Sequence, residues 1–447
     1  MRNWTPILTS DYSKKVYSLA GKVAQRLPSP DALLRLYVHK SDRRPSPYGF
    51  ADGASGMALL CASLDKTLPQ MGWDAAGYNY LKLAVEKVEH DADVGPGLFS
   101  GISGLAFAAL ELSRRGTRYR SLLDSLDSYI HDWTRTLTES IDARRGGIPV
   151  HEYDVISGLS GTGAYLLARY QDAQKGESAL RGVVSLLVNL TKRGVSGFYT
   201  PNGFLQETER RQNPFGTINC GLAHGVVGPL SLLSLSFLKG VRVHGMTQSI
   251  RSLANWLISH HSSDQWGINW PYYWSLSRRI RLDSARENHF EEEKLRLSEN
   301  VKCARAGWCY GSPGVARGLW LAGEATEDVF LQQIALEAII AVYSRPIKTQ
   351  DIESPIFCHG VAGLLQITMR FFNDTGRKLF RDEGRLLARR LLLLYEPGSA
   401  YGFRDIENGG QRIDDPGLLS GATGIALVLL AASTRVAPGW DRAFLLS

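Results

Sequence analysis

Two kinds of helical run alternate along the chain. The first kind is amphipathic and covers residues 11–27, 78–89, 119–141, 177–192, 247–261, 327–344 and 377–395. In the last of these, leucines 386, 387, 391 and 394 keep helical spacing beside Arg385, Arg389 and Arg390, the pattern of a helix with one buried face. The second kind is apolar nearly all round, as in 105–112 and 425–431, which predicts helices covered on every side. No stretch sustains strict polar–apolar alternation, and no glycine-rich phosphate loop joins a strand to a helix, so a parallel sheet is excluded.

Each apolar run opens on a pair of glycines three residues apart: 53/56, 101/104, 158/161, 225/228, 311/314, 360/363 and 421/424. Seven copies of one motif are an internal repeat, and helix pairs repeated in this way either stack openly or close into a ring. The apolar helices favour closure, because a second layer must surround them. The expected fold is therefore all-α, a seven-fold α/α toroid of inner and outer helices in one domain over 1–447, with glycine serving tight turns through positive φ or close backbone approach. Two stretches break the rhythm, 197–217 and 266–302. The second carries Trp266, Trp270, Tyr272, Tyr273 and Trp274 and then a charged run at 286–299. Both read as insertions on the rim, a small peptide-binding element or a simple lid.

Composition narrows the function classes. A chain of 447 residues with 44% hydrophobic content buries a large core, and a formal charge of +7 spread along it is not the dense basic stripe of a nucleic-acid binder. The start of the chain lacks the succession of a signal peptide, and no uninterrupted apolar run reaches membrane-spanning length. Five cysteines are too few for a disulfide scaffold, so the expected location is the cytoplasm without direct membrane insertion.

The chemistry sits just before the first glycine of each pair. Four copies place Ala51-Asp52, Phe99-Ser100, Ile156-Ser157 and Leu419-Ser420 there, whereas three place Ala223-His224, Cys309-Tyr310 and Cys358-His359. In a closed ring of repeats these positions share one rim. Cys309, Cys358 and His359 then form a Cys2His set for one Zn2+, with three protein ligands leaving the fourth position open for substrate. The wide spacing excludes a compact zinc finger, and the adjacent Cys358 and His359 converge only off a regular helix. The competing reading is two small cysteines packed near helix starts. Cys61, Cys220 and Cys303 read as structural.

With GLAHG at 221–225, WCYG at 308–311 and CHG at 358–360, and all seven glycine motifs in order, the chain resembles the lanthionine synthetase C-like cyclases. The resemblance implies a toroid, zinc on Cys309, Cys358 and His359, an active-site His224, an acidic Asp154, an Arg305 ahead of the first zinc cysteine, and Trp308 and Tyr310 flanking it. It also implies the activity: adding cysteine thiols of a dehydrated precursor peptide to dehydroalanine or dehydrobutyrine, in a complex with a dehydratase and an exporter that would hold the protein at the membrane. Each residue has a plainer alternative: His224 a core histidine, Asp154 a helix N-cap, Arg305 a salt-bridge partner, Trp308 and Tyr310 pocket walls. A non-catalytic peptide- or thiol-binding member of the fold remains open, as does an α/α-barrel glycoside hydrolase, which needs two carboxylates in one cleft.

Overall fold

The glycine pairs do open helices, and close backbone approach is the main reason. A computed structural model describes residues 4–38, 46–91, 93–144, 146–276, 303–406 and 410–447. At Gly360 the backbone is extended, φ −130°, and a Cβ would stand 2.3 Å from the Ser354 carbonyl oxygen. Gly311 combines both demands, with φ +86° and the Arg305 carbonyl oxygen 2.0 Å from where a Cβ would lie. No side chain fits either turn.

The helices that follow are buried as their composition predicts. Every residue of Ile102–Leu112 is buried, and so are residues 422–432 of Ala422–Ser433. The amphipathic helices show one inward face. In Glu177–Lys192, Leu180, Val183, Val184, Leu187, Val188 and Thr191 are buried at helical spacing, and Leu186 and Leu190 widen that face. In Lys378–Leu393, Leu387 and Leu391 are buried, but Leu386 is 55% exposed, because a one-residue step turns it away from that face.

The chain divides into two compact units. The first comprises Met1–Asp127, Ala306–Trp308 and Pro346–Ser447. In it the buried helices pack in succession, Val361–Thr375 against Ala422–Ser433, then Ala54–Thr67, then Ile102–Leu112. Two amphipathic helices pair with the buried helix before them in sequence, Trp73–Glu89 with Ala54–Thr67 and Lys378–Leu393 with Val361–Thr375. The first amphipathic helix, Ser10–Gln25, consequently serves the last buried helix, Ala422–Ser433. Hydrogen bonds from Leu8 N to Ala432 O (3.1 Å) and from Trp4 Nε1 to Ala431 O (2.9 Å) tie the two ends of the sequence. A carboxylate, Glu111, is buried in this unit between Lys66 and Arg442.

The second unit comprises Ser128–Arg305 and Cys309–Arg345. Its buried helices Leu159–Ala173, Val227–Leu238 and Ser312–Thr326 pack in the same successive way, paired with Glu177–Lys192, Met246–Ser259 and Val329–Ser344. Asp328 caps the last of these, accepting from the N–H groups of Phe330 and Leu331. The two stretches outside the repeat rhythm pair with each other: strand Thr217–Asn219 runs antiparallel to Tyr273–Ser275, with Asn219 opposite Tyr273. The charged run at 286–299 and the rest of 277–302 lie outside the described residues. No described helix is long and apolar enough to cross a membrane.

Candidate metal centre and its flanking dyad

Backbone hydrogen bonds join the slots ahead of successive glycine pairs. In the first unit Cys358 N donates to Leu419 O (2.9 Å), Leu419 N to Ala51 O (2.9 Å) and Ala51 N to Phe99 O (2.9 Å). In the second unit Ala223 N donates to Cys309 O (3.2 Å), and Val155, the residue just before the Ile156-Ser157 slot, donates from N to Ala223 O (2.9 Å). Equivalent slots are thus stitched edge to edge, so residues distant in sequence become neighbours.

In the first unit, Ala306–Trp308 lies against Cys358 and His359. A Cβ on Gly307 would meet the His359 Cα at 3.0 Å and the Cys358 carbonyl oxygen at 3.3 Å. Trp308 is wholly buried: its indole N–H donates to Phe444 O (3.1 Å), and its ring packs on Phe99, Phe357 and Phe444. The indole is an anchor in the core rather than a surface facing a cleft. Cys309 is the next residue along the chain. Its thiol, the Cys358 thiol and a ring nitrogen of His359 all lie within 4.8 Å of one another. Two thiols and an imidazole gathered this closely are a donor set that suits zinc.

In the second unit, Asp154 Oδ2 is 2.7 Å from His224 Nδ1. The other carboxylate oxygen accepts from the N–H groups of Ser157 and Gly158, each at 2.8 Å, just ahead of helix Leu159–Ala173. Asp154 is therefore both a support for the helix entrance and the partner of His224. The carboxylate is almost fully buried, whereas the His224 side chain is 39% exposed. Burial pushes the imidazole pKa down, but the hydrogen bond and charge of Asp154, with smaller contributions from Cys309 and Glu209, outweigh it and leave the value raised. With Nδ1 engaged, Nε2 is the nitrogen left for proton exchange.

Tyr310 stands beside this dyad, its ring centroid 6.2 Å from that of His224 and 4.9 Å from that of Tyr272. Arg305 donates from Nε to the Tyr272 hydroxyl (3.3 Å). The strand pair supplies that tyrosine, because Cys220 N donates to Tyr272 O (3.0 Å) directly after the ladder. Tyr272, from the aromatic stretch, and Gly221, the first residue of GLAHG, belong to the surroundings of the site, together with Asn219 and Gly307, which no sequence motif marked. Of the remaining cysteines, Cys61 and Cys220 are buried, and burial pushes both thiols up, Cys61 to about 12. They stay protonated and inert.

Comparisons with known proteins give the fold and the family. A solved structure described as "Nisin cyclase" superposes with a TM-score of 0.73, covering 93% of this chain and 96% of its own at 23% identity. The fold is that of an α/α toroid. A curated relative, "Nisin biosynthesis protein NisC" of Lactococcus lactis subsp. lactis, is 26% identical over 357 residues, 78% of this chain and 81% of its own. The family model "Lanthionine synthetase C-like protein" matches residues 44–445, nearly the whole repeat array, and the chain belongs to that family.

Proposed function

We propose that this protein is a zinc-dependent lanthionine-forming cyclase acting on a dehydrated precursor peptide. The observation that carries the reading is the Asp154–His224 pair, held within electrostatic reach of Cys309, itself one of three clustered metal-type ligands. In the reaction a cysteine thiol loses its proton, the sulfur bonds to the β-carbon of a dehydroalanine or dehydrobutyrine, and the π electrons move toward the carbonyl as an enolate. A proton then adds to the α-carbon. Atoms balance without an external co-reactant.

Cys309, Cys358 and His359 would hold the ion. When bound, zinc supplies a Lewis acid that lowers the pKa of a thiol. His224 Nε2 takes or returns the proton, and Asp154 fixes its tautomer through Nδ1. Arg305, oriented by Tyr272, faces developing enolate charge, and Tyr310 walls the same space. The ladder of Thr217–Asn219 with Tyr273–Ser275 carries aromatic surface that suits an extended peptide. A cytoplasmic setting beside a dehydratase and an exporter follows from the same reading.

The glycosidase alternative needs a carboxylate free to act on a sugar, and Asp154 has both oxygens committed. The test is metal content of the purified protein beside Cys309→Ala and Cys358→Ala, followed by ring closure of a dehydrated peptide. Cyclisation leaves the mass unchanged, so it is read as loss of alkylatable thiol. One zinc per chain, lost in both variants together with ring closure, is the expected result. Folded wild-type protein that takes up no zinc, or ring closure that survives both substitutions, would refute the mechanism.

A further inference from the structure

Asn219 ends the strand Thr217–Asn219, two residues before the glycine that opens GLAHG. Its Oδ1 accepts from Gly221 N (2.9 Å), and its Nδ2 donates to the Tyr310 hydroxyl (3.1 Å). This orientation is forced. A backbone N–H can only donate, so the amide oxygen must face Gly221 and the NH2 must face Tyr310. An amide N–H can likewise only donate, so the Tyr310 oxygen accepts and the phenol's own proton is directed to a different acceptor. Gly221 completes the seat. A Cβ there would stand 2.7 Å from two ring carbons of Tyr310 and 2.5 Å from the Cys309 carbonyl oxygen, so the ring rests against bare backbone. On its other contacts the ring meets Tyr272 and His224.

We propose that Asn219 is a positioning residue that fixes the Tyr310 hydroxyl as a hydrogen-bond donor beside His224 and Cys309. The inference rests on the cyclase reading of the site. When the thiol sulfur bonds to the β-carbon, negative charge appears on the carbonyl oxygen of the dehydroresidue, and a phenol whose oxygen is already engaged by Asn219 meets that charge with its proton. Asn219 thereby sets the polarity of a group it holds, and Gly221 sets its place.

Asn219→Asp tests this, because it keeps an oxygen for Gly221 N while replacing the amide donor by an acceptor, which recaptures the phenol proton. The substrate probe is a synthetic peptide with one dehydroalanine and one cysteine. The expected result is a fall in kcat of about a hundredfold, the cost of losing one preorganised donor. KM and zinc content stay unchanged. Tyr310→Phe falls similarly, and the double variant falls no further than either single one. An independent readout is the tyrosine Fermi-doublet ratio in ultraviolet resonance Raman difference spectra, with Tyr310→Phe as the subtrahend. In Asn219→Asp it should move toward the strong-donor end. If Asn219→Asp does not fold, Asn219→Ser keeps the oxygen and surrenders the amide donor for the same measurements. An unmoved Raman ratio, or a moved ratio with wild-type kcat, overturns the proposal. Wild-type protein that closes no ring overturns the cyclase reading instead, while the Raman comparison still decides whether Asn219 orients Tyr310.

Discussion

Replacing Asp154 by asparagine separates the two duties of this residue. Oδ1 accepts from Ser157 N and Gly158 N, both at 2.8 Å, and Oδ2 meets His224 Nδ1 at 2.7 Å. An asparagine must keep its oxygen toward the two backbone donors, since turning its NH2 there would set donor against donor. The NH2 is then presented to His224, so Nδ1 must become an acceptor and the imidazole proton moves to Nε2. The ring keeps its place but holds the wrong tautomer for taking a proton at Nε2, and the charge that steadied an imidazolium is gone. A hydrogen bond to a charged group contributes about 1.5–3 kcal/mol, roughly 10- to 100-fold in rate, and losing general acid–base function adds to that. The expected fall in kcat for thioether closure is on the order of 10²–10⁴-fold. Urea unfolding should be nearly unchanged, because the backbone contacts survive. Asp154→Ala removes those contacts too and should cost about 1–2 kcal/mol in addition. The assay is single-turnover loss of alkylatable thiol on a dehydrated peptide. An Asp154→Asn protein that closes rings at the wild-type rate would refute the assignment of proton traffic to this pair.

Gly307→Ala introduces a Cβ 3.0 Å from the His359 Cα and should shift the Cys358–His359 turn. Overpacking of this kind costs about 1–3 kcal/mol, so chelator competition should show weaker zinc retention and thermal unfolding a lower midpoint. Phe444 is fully buried against Phe99, Trp308, Phe357 and Trp440. Phe444→Ala should therefore destabilise by about 3–5 kcal/mol in urea titrations followed by tryptophan fluorescence. Glu111 gives a pH prediction. Burial alone would raise its pKa, but Lys66 and Arg442 overcome that and bring it from 4.5 to about 2. A depressed carboxyl stabilises fully above its unfolded value and loses that contribution as pH falls toward 2, an effect on the order of 3 kcal/mol. Glu111→Gln should flatten the acid limb of stability between pH 4.5 and 2.

The repeat made much of this architecture legible. Seven glycine pairs located the buried helices; Cys309 and Cys358 stood out in a slot that other copies fill with Phe99, Leu419 or Ala51, and His224 in the next slot, where other copies have Asp52, Ser100 or Ser420. What stayed hidden was pairwise. Asn219 in sequence is an ordinary turn-forming residue, and its bond to Tyr310 depends on a three-residue ladder too short to show alternation. Trp308 beside Cys309 reads in sequence as a pocket wall or a participant in the chemistry, and its place in the core shows only when Phe444, from the far end of the sequence, is seen to accept its indole N–H. Helix partnership was hidden as well. Periodicity gives each amphipathic helix a buried face but not the partner that covers it, and the one before 53/56 turned out to serve the pair at 421/424.

That last pairing bears on how the chain is made. Ser13 Oγ donates to Ser433 O across 420 residues, and the helices that carry them cover each other. At about 5–20 residues per second, translation needs on the order of 20–80 s to supply the second helix after the first has emerged. For that interval the face of Ser10–Gln25 that packs on Ala422–Ser433 waits for that helix. The step that seals the array is therefore its most non-local one, so slow final closure and a need for protection of the nascent chain follow from the order in which the helices are joined.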